Sequence, residues 1–141
     1  MKKRLSVFLL CLPLVVFSKE PLKLEHTEYL FKATHEFKHP PVGFPGDELP
    51  DKGFKPAKAV TEYTITVLKG GQRIKIMPGA IQGEIAKALD HKRIYYLDEG
   101  LFAGGTFNVV KAGKGCSATL VEFGSGEPVV RAVRGSLTPK K

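Results

Sequence analysis

Between Val60 and Met77 the chain alternates in a way that a β-hairpin satisfies and few other structures do. Thr61, Tyr63, Ile65 and Val67 alternate with Glu62, Thr64 and Thr66; after Gly70-Gly71, Ile74 and Ile76 alternate with Arg73 and Lys75. Strand side chains take opposite faces in turn, so each set commits to one face. Adjacent glycines supply the positive φ values that a two-residue primed turn requires. With Gly70 and Gly71 as the loop, Lys69 stands opposite Gln72, Val67 opposite Ile74 and Ile65 opposite Ile76. The apolar residues of both strands then share one face, and Thr66, Leu68, Arg73 and Lys75 share the other. A one-residue slip would scatter them, so turn chemistry and hydrophobic pattern select the same register.

The flanking segments read mostly as strand and turn. Phe31, Ala33, His35 and Phe37 alternate with Lys32, Thr34, Glu36 and Lys38. Tyr29, Leu30, Ala33 and Phe37 also fit one side of a helix, and the strict alternation decides for a strand over 29–37. Pro40-Pro41 ends that element because proline has no N–H to donate. From Gly43 to Pro56 glycines and prolines recur in a turn-rich connector, long enough to be a candidate functional loop. Beyond Pro78-Gly79, Ile81, Ile85 and Leu89 recur every four residues and predict a short amphipathic helix over about 80–89, with Glu84 and Lys87 in pairing range on its surface. Further strands are expected at Ile94 to Leu97, Thr106 to Ala112, Cys116 to Phe123 and Val129 to Arg134, separated by glycine-containing turns. The expected fold is mainly β: a small single-domain sandwich or barrel of about seven short strands with one short helix. Its segments are 1–18, a leader; 19–59, an N-terminal strand or helix plus connector; 60–136, the β-rich core; and 137–141, a frayed tail.

The leader follows from Lys2-Lys3-Arg4 and the apolar run from Leu5 to Phe17, broken by Ser6 and Pro13. A basic start and a short apolar stretch form a secretory signal, with Val16-Phe17-Ser18 placing cleavage after Ser18. A bilayer span needs about 20 apolar residues, more than this run has. Export to the periplasm or beyond is the expectation. Cys11 leaves with the leader, so Cys116 is the mature chain's single cysteine and forms no internal disulfide. It opens an apolar run and reads as a buried strand cysteine.

The chain carries +8, of which Lys2, Lys3 and Arg4 account for +3, leaving +5 on the mature protein. Residues 19–51 hold four lysines against seven acids, 52–93 nine basic residues against three, and 107–141 six against two. That distribution favours an anionic partner, a glycan or a lipid headgroup. There is no Trp for base stacking and no basic, aromatic-interleaved nucleic-acid module. The hairpin register puts Arg73 and Lys75 on the face away from Ile74 and Ile76, with Lys69 beside the turn, and these three are the candidate binding residues.

One string carries catalytic chemistry. His35-Glu36-Phe37-Lys38-His39 spells H-E-x-x-H, which resembles the signature of zincin metallopeptidases. The resemblance implies Zn²⁺ held by His35 and His39 with Glu36 activating water. Its context differs from that family: Pro40-Pro41 follows the second His at once, Lys38 puts a cation within the motif, and Val42 stands where the continued motif has glycine. On a strand, His35 and His39 would lie about 13 Å apart along the chain, too far to share a metal. No Gly-x-Ser-x-Gly elbow or P-loop occurs. The sequence therefore points to an exported, non-catalytic binding or accessory module of the cell envelope, without a cofactor, whose partner is an envelope protein or an anionic glycan or lipid. The alternatives are a small zinc-dependent hydrolase and a secreted inhibitor or effector.

Overall fold

The computed structural model describes residues 22–38, 49, 52–89, 91–98, 104–123 and 129–141. The leader, His39 and most of the proline-glycine connector lie outside the described residues. Eight strands follow one another: β1 (Glu28–Phe37), β2 (Phe54–Val67), β3 (Arg73–Met77), β4 (Ile81–Leu89), β5 (Lys92–Asp98), β6 (Gly104–Ala112), β7 (Gly115–Phe123) and β8 (Val129–Pro139). Each pairs antiparallel with its neighbour in sequence, and β8 returns to β1, closing the sheet into a barrel. Closure removes the free edges that an open sheet would expose.

The hairpin register stands as the alternation requires: Ile65 pairs with Ile76, Thr66 with Lys75 and Val67 with Ile74. The connection differs. Lys69–Gly71 forms a single 3-10 turn, closed by Leu68 N–H donating to the Arg73 carbonyl at 2.9 Å and Gly71 N–H to the Leu68 carbonyl at 3.0 Å. Gly70 and Gly71 have φ of +84° and +69°, the conformations that favour glycine.

The helix expected over about 80–89 is corrected: Ile81–Leu89 is strand β4. A spacing of four satisfies a period of two as well as one near 3.6, so Ile81 and Ile85 share a face in either structure. Gly83 lies between them on the inner face, where a Cβ would come within 2.8 Å of Leu97 Cδ2. The strand count rises to eight accordingly. At the C-terminus β8 continues to Pro139, with Leu137 only 2% exposed between Phe31 on β1 and Cys116 on β7.

The interior is filled by side chains. Phe31 stacks on Tyr63 with ring centroids 5.6 Å apart and meets Phe107 edge-on at 5.5 Å; Ile65, Ile74, Ile76, Tyr95 and Leu120 are fully buried around them. An extra residue in β1, between Ala33 and His35, reverses the alternation. Phe31 and Ala33 face inward, whereas Phe37 packs outside against Val121 and Ala132, together with Phe54 and Leu49. Gly135 sits opposite Ala33 beside this bulge. Here a Cβ would overlap the Lys32 carbonyl oxygen and lie 2.8 Å from Ala33 Cα, so only glycine fits.

Candidate functional site

The outer wall of the barrel carries charged cross-strand pairs, beside exposed Val60, Met77 and Tyr96. Lys32 pairs with Glu62 across β1 and β2 at 3.0 Å, and Arg73 with Glu84 across β3 and β4 at 3.4 Å. A barrel that spans a bilayer carries an apolar exterior and a polar lumen. Among the described residues the interior here is apolar, filled by Phe31, Ile65, Ile74 and Leu120. No helix among the described residues is long and apolar enough to cross a membrane.

β3 places Arg73 and Lys75 on that wall, away from Ile74 and Ile76. Arg73 is engaged there: besides its Glu84 pairing, its Nη2 donates to Gln82 Oε1 at 3.0 Å. Tyr96 and Asp98 of β5 complete a shallow groove of about 520 Å³ around Arg73, Gln82 and Glu84. Glu84 therefore offsets the guanidinium, and the local charge is mixed rather than basic. Lys69 opens the 3-10 turn at the end of the same hairpin.

His35 and Glu36 are consecutive residues of β1. His35 is exposed, with Nδ1 2.8 Å from Thr34 Oγ1. Neighbours on a strand point to opposite sides, so β1 lacks the helical turn that brings the first His and the Glu of H-E-x-x-H to one site. Among the described residues no three His, Cys, Asp or Glu side chains gather as a metal site.

A more coherent grouping lies where the chain enters the barrel. Residues 22–27 precede β1, and Leu24 is buried in the interior cluster, so this segment helps close the barrel at that end. Against it lies a groove of about 560 Å³ between the entry segment, the β6–β7 turn and the end of β8. Its cations are Lys23, Lys111 and Lys114, its carboxylate is that of Glu25, and His26 lies beside them. Among the described residues no carboxylate pairs with any of the three lysines. His26 N–H donates to Tyr29 Oη at 3.1 Å, holding the phenol at the groove.

Two groups at this end are shifted by their surroundings. Burial pushes the Cys116 thiol above its ordinary value, and Lys111 offsets this in part. The thiol is therefore protonated at neutral pH and is not a thiolate nucleophile. Burial likewise raises the Tyr95 phenol, with Arg93 beside it pulling the other way. Arg93 Nε is buried without a hydrogen-bond partner. At the opposite end Arg131 lies 3.9 Å from Glu122 and 3.5 Å from Thr61, close to the Tyr63 phenol.

The groove was not among the sequence-derived candidates. It draws on 22–29, 111–116 and 137–139, which are distant in sequence and meet only because the barrel closes. Its signal in the sequence was the basic excess over 107–141 and the Gly113-Lys114-Gly115 turn. No protein-family model, curated protein or solved structure matches this chain. The functional reading therefore rests on the chemistry of the sites themselves.

Proposed function

We propose that this protein is an exported, non-catalytic binding module of the cell envelope that holds an anionic partner at the basic end of its barrel. The observation that carries the reading is the trio Lys23, Lys111 and Lys114 around one groove lined by the carboxylate of Glu25, with no carboxylate paired to any of the three among the described residues. Three cations lining one groove offer an anion a favourable field. Lys69, Arg73 and Lys75 rank second as the anion surface because Glu84 offsets Arg73. The zinc-hydrolase alternative through His35, Glu36 and His39 gains no support from β1, where the first two residues alternate in direction.

Export rests on the leader, and N-terminal sequencing of the protein released by osmotic shock should begin at Lys19. The binding reading is tested by retention on immobilised heparin, a polyanion. The parent should be retained and should elute as salt rises, since screening at physiological ionic strength acts within about 8 Å. Lys111→Glu with Lys114→Glu should elute much earlier, whereas Arg73→Gln with Lys75→Gln should elute close to the parent. The reverse order would move the site to β3, and a parent that is not retained would defeat the reading.

A further inference from the structure

We infer that the end groove takes a single-chain anionic amphiphile, with its phosphate or carboxylate head at the lysines and its alkyl chain along the groove wall. This rests on the anionic reading above and adds the second half of the ligand. Lys23, Lys111 and Lys114 are all exposed at the groove rim. Below them the lining is apolar: half-buried Leu22, buried Leu137 and the ring of buried Tyr29, with Cys116 and Pro139 alongside. A simple inorganic anion would use the rim and leave that wall wet. A ligand with a charged head and an apolar tail matches both. The volume of about 560 Å³ lies within the roughly 300–1,000 Å³ usual for small-molecule sites.

The geometry also supplies a reporter. Cys116 lies in the groove wall and is partly accessible. A bound alkyl chain should shield it from alkylation, while an ion at the rim should not.

The test uses the full chain, with calorimetric titration of inorganic phosphate, decyl phosphate, decanoate and decyl maltoside below their micellar concentrations. Alkylation of Cys116 by N-ethylmaleimide is followed in parallel by site-resolved mass spectrometry. Each methylene removed from water strengthens binding about fourfold, so decyl phosphate should bind at least about tenfold more tightly than inorganic phosphate. It should also slow Cys116 alkylation, and decyl maltoside should do neither. Comparison with decanoate distinguishes a phosphate-headed ligand from a fatty acid. Leu22→Ser, outside the strands, should weaken decyl phosphate and leave inorganic phosphate unchanged; Lys111→Glu with Lys114→Glu should weaken both. Equal affinity for the two phosphates would overturn the amphiphile and leave the anionic reading standing. Decyl phosphate binding that does not shield Cys116, or decyl maltoside binding as tightly, would also overturn it. If none of the anions binds, both readings fall.

Discussion

Replacing Gly135 by alanine should open the seam where the barrel closes. The added Cβ would overlap the Lys32 carbonyl oxygen and stand 2.5 Å from the carbonyl carbon and 2.8 Å from Ala33 Cα. Carbon atoms pack at about 3.5–4.0 Å, so β1 and β8 must part by about 1 Å. Ladder hydrogen bonds are made at about 2.7–3.2 Å, and those flanking the bulge would stretch beyond that range. Losing two or three of them at about 1 kcal/mol each, and loosening the adjacent Phe31–Leu137 pair, amounts to roughly 3–4 kcal/mol. That is a large share of the 5–15 kcal/mol typical of a domain, and it should lower the melting temperature by about 10–20 °C. Gly115→Ala is the control: its Cβ would find the Ala112 carbonyl oxygen 4.0 Å away, so stability should stay within about 0.5 kcal/mol. Urea unfolding followed by circular dichroism measures both. A Gly135→Ala protein as stable as the Gly115→Ala protein would refute the close approach of β1 and β8.

Ile76→Asp puts a carboxylate into a fully buried position and should unfold the protein, whereas Thr66→Asp on the outer wall should fold; similar damage from both in thermal melts would contradict the register. The phenols of Tyr63 and Tyr95 are both raised above 10.0 by burial, so their contribution to stability is complete below pH 10 and is lost as pH climbs through their folded-state values. Urea midpoints should therefore fall above pH 10, and less steeply in Tyr95→Phe; an identical pH profile in that variant would argue against the burial of the hydroxyl.

The legible parts of the sequence were those in which two independent signals agreed. Around Gly70-Gly71 turn chemistry and alternation fixed one register, and the ladder from Ile65 to Ile76 has it. Over 28–37 alternation alone sufficed, although the bulge before His35, which turns Phe37 outward, has no signature in the residues themselves. Ile81 and Ile85 misled because their spacing is common to both periods, and Gly83 between them marks close packing against Leu97. That error carried into the site. With 80–89 read as helix, Glu84 had no reason to face Arg73, and the hairpin trio looked more basic than its surroundings make it. The groove was hidden for a different reason: Tyr29, Cys116 and Leu137 meet only through the pairing of β8 with both β7 and β1.

The most direct measurement of where an anionic ligand sits is the change in backbone amide resonances as isotopically labelled protein is titrated with decyl phosphate. The largest shifts should fall at Tyr29, Lys111, Lys114 and Leu137, with Arg73, Lys75 and Gln82 unmoved. Shifts concentrated on β3 and β4, or none at saturating ligand, would contradict the account.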